Sequence, residues 1–189
     1  ERYQRTMILL VMLPMWMNFL LRTYAWMTLL EKNGLINKML SLFGIGPFNM
    51  INTSGAVVLG MVYNYLPFMI LPIYSVIIKL DHSLLEAARD LGAGSMTVFR
   101  RVILPLSLPG VLSGITMVFV PSVSTFAISK MLGGGTEMLL GDLIEQQYMG
   151  GAYNPYLGAA ISLVMMVIVV ICMVVMNRFG EGEEQAVMM

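Results

Sequence analysis

Charged side chains crowd one short stretch of an otherwise apolar chain. Glu86, Arg89, Asp90, Arg100 and Arg101 fall within sixteen residues, whereas the 189-residue chain as a whole is 58% hydrophobic and 12% charged. A soluble domain carries about 25% charged residues, so this composition predicts a membrane protein. The charged stretch can serve as an electrostatic docking surface for a soluble partner, or as an interfacial loop whose arginines meet anionic lipid. The residues alone leave both interpretations open.

The local pattern of this stretch predicts two helices joined by a turn. Ser83 and Glu86 have the spacing of a capping box, in which each side chain bonds the other residue's backbone N–H. Gly92 and Gly94 predict the end of the first helix, because glycine readily adopts the left-handed cap conformation. A second short helix would begin at Ser95 and run to Pro105. Residues spaced at i, i+3, i+4 and i+7 give the first helix one apolar face: Leu84, Ala87, Ala88 and Leu91.

A second set of polar residues lies inside apolar segments. Tyr63, Asn64 and Tyr65 are consecutive, and Arg22 falls late in the first apolar run. Aromatic faces, amides and hydroxyls are groups that a cationic cargo could contact. Unpaired at mid-bilayer, an arginine costs about 2.5–3.5 kcal/mol, so Arg22 either snorkels to the outer surface or faces the bundle. These four residues are the candidate translocation path.

Several classes of chemistry find no support in the sequence. It contains no Gly-x-x-x-x-Gly-Lys phosphate loop, and no Gly-x-Ser-x-Gly or His-Glu-x-x-His motif, so we expect no enzyme activity in this chain. One cysteine, Cys172, and one histidine, His82, predict no disulfide or metal site and no cofactor. The twenty scattered methionines are typical of packing. The net charge of zero gives no indication of a nucleic-acid partner.

Four apolar runs are long enough to cross a bilayer, at about 7–28, 55–78, 104–128 and 156–177. The predicted fold class is therefore all-α, a polytopic membrane helix bundle forming a single domain over 1–189. Prolines within the runs predict bent helices. Cations are more numerous on one side of these spans (Arg2, Arg5, Lys79, Arg89, Arg100, Arg101 and Arg178) than on the other (Lys32, Lys38 and Lys130). The excess places both chain ends and the charged stretch in the cytoplasm.

The two loops on the opposite side have their own patterns. Residues 35–43 are apolar at helical spacing, which predicts a short helix on the outer membrane surface. The segment 133–151 is bounded by glycines and carries Glu137, Asp142 and Glu145. It fits a solvated loop, or a docking surface or gate for a cationic cargo.

The sequence "EAARDLGAGSMTVFRRVILP" resembles the EAA loop of permease subunits of ABC importers. The match consists of Glu86-Ala87-Ala88, then Gly92, then Val102-Ile103-Leu104-Pro105 at the family spacing, with valine in place of the first isoleucine. Two further stretches, "LLRTYAW" and "LPFMILPIYSVIIKLDHSLLEAARDLGA", resemble the spermidine/putrescine permeases of that family. The resemblance extends over nearly the whole chain.

This resemblance implies the type I ABC-importer permease fold and import by alternating access. Such permeases usually have six membrane helices, so we expect N-terminal helices to be missing here. The loop at 83–105 would couple to an ATPase dimer through Glu86, Ala87, Ala88, Arg89, Asp90, Gly92, Arg100 and Arg101. The implied partners also include a second permease subunit, an external polyamine-binding protein and the lipid bilayer of the inner membrane. Permeases for sulfate, molybdate, iron or thiamine share the motif, and a passive channel remains a weaker alternative.

Overall fold

The computed structural model describes residues 2–151 and 153–187, with the side chains of 2, 4, 5, 177 and 179–187 outside the description. Every regular element in this part of the chain is helical, which confirms the all-α prediction. The helices are α1 (Arg2–Trp16), α2 (Phe19–Leu30), α3 (Leu35–Leu42), α4 (Ser54–Ile77), α5 (His82–Asp90), α6 (Ser95–Val98), α7 (Leu104–Ser124), α8 (Ala127–Gly133), α9 (Leu140–Met149) and α10 (Pro155–Val187). A π-helical turn, Phe99–Ile103, joins α6 to α7.

Three helices in the described part can each span a membrane: Ser54–Ile77, Ser95–Ser124 and Pro155–Met176. The predicted first span, 7–28, is wrong as a single helix, because α1 and the segment from Phe19 meet at 97°. The count of four holds only if this bent pair forms one span. The break lies at Met17–Asn18 and not at the proline, since Asn18 accepts the backbone N–H of Leu20 at 2.8 Å and starts a new helix.

The predicted third span, 104–128, is displaced toward the N-terminus. Its helix begins at Ser95 and ends at Ser124, because α6, the π turn and α7 are continuous over 30 residues. The expected short helix from Ser95 to Pro105 is therefore not a separate element.

The chain divides into two compact units, Glu1–Pro67 with Pro121–Val164, and Phe68–Val120 with Met165–Met189. In the first unit, α8 supplies the most deeply buried apolar side chains, Ile128 and Leu132. They pack against Gly60 of α4, where a Cβ atom would overlap the Leu132 side chain. The small residue thus lets α4 and α8 approach closely.

In the second unit, α7 packs against α4 through two glycines one turn apart. A Cβ atom on Gly110 would lie 2.9 Å from the Pro72 carbonyl oxygen, and one on Gly114 would lie 2.7 Å from the Met69 sulfur. The spacing is Gly-x-x-x-Gly, which permits close contact between membrane helices. Only glycine fits at Gly110 without moving backbone atoms.

The segment 133–151 is not the simple solvated loop that the sequence suggested. It forms the end of α8 and all of α9, and Asp142 is buried, accepting hydrogen bonds from the Ser129 hydroxyl at 2.8 Å and the Leu139 N–H at 2.9 Å. Lys130 pairs with Glu145 at 2.6 Å. The exposed Glu137 accepts the Ser54 hydroxyl. All three acids therefore have partners within the chain.

Candidate functional site

The charged stretch begins with a capped helix, although the cap differs from the prediction. Asp81, not Ser83, is the N-cap of α5, and its carboxylate accepts the backbone N–H of Ser83 at 2.9 Å. The proposed capping box of Ser83 with Glu86 is therefore wrong, because the helix starts at His82, two residues earlier than a helix capped by Ser83 would. The Ser83 backbone N–H, and then its hydroxyl, hold the pKa of Asp81 below its ordinary value.

The end of α5 is a Schellman motif centred on Gly92. The Ala93 N–H bonds the Ala88 carbonyl at 3.1 Å, and the Gly92 N–H bonds the Arg89 carbonyl at 2.8 Å. Gly92 has φ +80°, so the left-handed conformation expected from the sequence is present. No atom lies within 4 Å of where its Cβ would be. The glycine is thus required by the backbone conformation and not by crowding within the chain.

The chain then turns through Gly94 into α6, and α5 packs against α6 and the π turn. Val98 is buried at this junction. Arg100 and Arg101 both lie within the π turn, Phe99–Ile103, and both are exposed. Single π turns of this kind are frequent at functional sites. We call residues 81–103 the coupling hairpin, after the role that the resemblance of its sequence to the EAA loop implies.

The outward side of the coupling hairpin is both charged and apolar. Leu91 is 89% exposed, and Leu84 and Ala87 are also exposed, so most of the predicted apolar face has no cover in this chain. Within the described residues, no ion pair or side-chain hydrogen bond engages the five charged groups Glu86, Arg89, Asp90, Arg100 and Arg101. A cavity of about 410 Å³ opens beside them, lined in part by Ala88, Gly92, Thr97 and Arg101.

The candidate path residues lie in the first unit, and Arg22 is the most constrained. It is 8% exposed and does not snorkel, and its Nε and Nη1 are buried without a hydrogen-bond partner among the described residues. It also lies in the first turn of α2, where the helix end carries partial positive charge and disfavours a cation. Arg22 is therefore a buried charge in a costly environment.

The three consecutive polar residues of α4 have different surroundings. The Tyr63 ring meets Trp26 edge-on, with ring centroids 5.2 Å apart. Asn64 is 1% exposed, and its amide donates to the Gly60 carbonyl at 2.9 Å, while its Oδ1 is buried and has no partner in the described part of the chain. The Tyr65 hydroxyl donates to the Pro121 carbonyl at 3.0 Å. Tyr65 is thus engaged in packing, whereas Asn64 and Arg22 retain unused polar atoms.

Sequence comparison assigns the family. Residues 3–181 match the family described as "Binding-protein-dependent transport system inner membrane component". The spermidine/putrescine transport system permease protein PotB of Haemophilus influenzae is 41% identical over 182 residues, covering 95% of this chain and 63% of the relative. PotB of Escherichia coli K12 is 37% identical over 174 residues, covering 91% and 63%. The chain therefore spans less than two thirds of the length of these relatives.

Structural comparison agrees on the fold. A crystal structure of a bacterial ABC transporter that imports the acidic polysaccharide alginate matches with a TM-score of 0.73 at 15% identity, over 96% of this chain and 66% of that one. The family match covers the coupling hairpin and all of the candidate path residues. This chain belongs to the family of inner-membrane components of binding-protein-dependent transport systems.

Proposed function

We propose that this chain is a permease subunit of an ATP-driven importer that takes up spermidine and putrescine by alternating access. The observation that carries the proposal is the coupling hairpin, whose charged groups lack partners inside the described chain while its helix α6 runs unbroken into a 30-residue span. A surface of this kind can receive force from a soluble partner. The relatives named as spermidine/putrescine permeases supply the substrate class.

In this proposal the coupling hairpin docks into a cleft of one ATPase subunit. Ala87 and Leu91 would contribute apolar contact, and Glu86, Arg89 and Asp90 would contribute charge-assisted hydrogen bonds. The Schellman motif at Gly92 keeps α5 and α6 in one fixed geometry. Movement of α5 when ATP closes the ATPase dimer would then reach α7 through Arg100, Arg101 and the π turn.

The pathway would use the first unit's polar groups in different ways. The Tyr63 ring and Asn64 Oδ1 can accept an ammonium group through cation–π contact and a hydrogen bond. Arg22 has the same charge as a polyamine, so we assign it to support of the gate. We assign Tyr65 to the wall of the path, because its hydroxyl is already engaged.

The expected assembly has a second permease subunit, two ATPase subunits and an external polyamine-binding protein. ATP hydrolysis takes place on the ATPase subunits. The excess of cations near the coupling hairpin and at the two chain ends supports a cytoplasmic location for these parts. Of these cations, Arg2 and Arg5 have side chains outside the described part of the chain.

Transport by the complete complex in sealed vesicles tests the proposal. Radiolabelled putrescine should accumulate only with ATP and the external binding protein, and unlabelled spermidine should compete with it. Sulfate and molybdate should not compete. Competition by an oxyanion alone would refute the polyamine assignment, and flux without ATP would indicate a channel in place of an importer.

A further inference from the structure

An apolar surface remains uncovered between the end of α2 and the start of α4. It consists of exposed side chains of α3 and the loop after it: Leu35, Met39, Leu42, Phe43, Ile45 and Phe48. Leu42 and Phe43 are 84% and 79% exposed. We call these six residues the α3 patch. Side chains of this size in contact with water would form an aggregation-prone surface, so the patch requires a partner.

The α3 patch is held outward by a buried polar anchor. At about 100° per residue, Leu35, Met39 and Leu42 share an arc of roughly 60° on α3, and Asn37 lies on the opposite side. The Asn37 amide donates to the carbonyls of Glu31 and Phe48 at 3.1 and 2.9 Å, and its Oδ1 accepts the Phe48 N–H at 2.9 Å. These three bonds tie α3 to Glu31 before the patch and to Phe48 at its end, so the exposure of the patch is part of the fold.

Two features of the segment identify what covers the patch. Phe48 lies six residues before Ser54, where a membrane span begins, so it can be at most about 20 Å from that residue. Lys32 and Lys38 are the charged residues of 32–53, which contains no aspartate or glutamate. Lys38 lies about 40° from Leu42 around the helix, at the edge of the apolar arc.

We infer that α3 lies in the headgroup layer of the bilayer as an interfacial anchor. The α3 patch is immersed by about 5–10 Å, and Lys32 and Lys38 bind lipid phosphate groups. The anchor fixes the end of α2 and the start of α4 relative to the membrane surface. This inference requires only that the chain spans a membrane, and it is independent of the transported substrate.

Lipid quenching tests the inference in the assembled transporter. Single cysteines replace Phe43, Met39 and, as a control on the polar side of α3, Ser41, in a chain with Cys172→Ala. Each is labelled with bimane and reconstituted in vesicles of phosphatidylcholine and phosphatidylglycerol brominated near the headgroup end of the acyl chains. We expect a roughly twofold loss of emission at positions 43 and 39, and quenching by aqueous iodide at position 41.

The lipid composition separates immersion from headgroup binding. Adding Lys38→Gln should reduce the quenching at Phe43→Cys in vesicles containing phosphatidylglycerol, but not in pure phosphatidylcholine. Equal iodide quenching at positions 39, 41 and 43 would overturn the inference, because the patch would then face water. Shielding from iodide that appears only after the soluble binding protein is added would overturn it too, by assigning the patch to that protein.

Discussion

Gly92 offers the sharpest test of the coupling hairpin, because a side chain at this position would strain the backbone without contacting neighbouring atoms. At φ +80° the left-handed conformation would cost an alanine about 1 kcal/mol of conformational free energy, while its methyl group would enter open space. That energy corresponds to about a fivefold change in an equilibrium constant. Gly92→Ala should therefore lower ATPase-subunit affinity by up to about fivefold, since docking requires the intact turn. Gly92→Asp adds a charge at the docking surface and should abolish ATP-driven uptake.

Gly94 supplies the matched control two residues away. Its φ of −65° and ψ of 159° suit any residue, and no atom lies within 4 Å of its Cβ position. Gly94→Ala should therefore leave affinity and uptake near the wild-type values. Gly92→Asn should give an affinity and an uptake rate between those of Gly92→Ala and Gly94→Ala, because asparagine tolerates the left-handed region better than alanine.

The assay measures ATPase subunit retained by the immobilised permease together with uptake rate, both normalised to permease in the membrane. Equal losses in Gly92→Ala and Gly94→Ala would refute the argument from backbone strain, since only one position has positive φ. Normal transport by Gly92→Asp would show that the coupling hairpin does not transmit force to the span.

Three further predictions address packing, pH and topology. Tyr65→Phe should destabilise the assembled complex by about 0.5–1.5 kcal/mol in thermal unfolding, and Tyr63→Phe, whose hydroxyl makes no hydrogen bond among the described residues, should not. The pKa of Asp81 is lowered in the folded chain, so the cap that its carboxylate forms is complete above the ordinary aspartate pKa and is lost as the pH falls through the lowered pKa. Retention of the ATPase subunit should decline over that acidic range. Asp81→Asn should abolish the decline, because an amide does not titrate. A cysteine at Met138 should react with an impermeant thiol reagent outside intact cells, and one at Ser95 should not.

The sequence predicted the presence of helices better than the residues at which they begin and end. Apolar run length located α4 and the membrane-spanning part of α10, Pro155–Met176, within about two residues, because span length is set by the bilayer. It failed at residues 17–18, where an asparagine cap outweighs a continuous apolar pattern. It also failed at Ser83, because aspartate is as good an N-cap as serine and Asp81 lies two residues earlier.

The polar side-chain pairs that join α8 to α9 show why site prediction from sequence has limits. Ser129 with Asp142 and Lys130 with Glu145 are thirteen and fifteen residues apart, and no periodicity connects them. They become neighbours only because the chain folds α9 back onto α8. By contrast, Gly110 and Gly114 carried a detectable signal, since Gly-x-x-x-Gly in an apolar run indicates close helix packing.

Among the described residues, some polar groups without partners are exposed and others are buried. The two kinds have different consequences for the proposed transport cycle. Those on α5 are exposed and keep their hydration, so they cost nothing until a partner approaches. The Nε and Nη1 of Arg22 and the Oδ1 of Asn64 are buried and have lost theirs. An arrangement that brings an acceptor to Arg22 would be favoured by the recovered free energy. Because Arg22 lies in α2 four residues after Asn18, close to the break at residues 17–18, we expect the bent pair to move when access alternates.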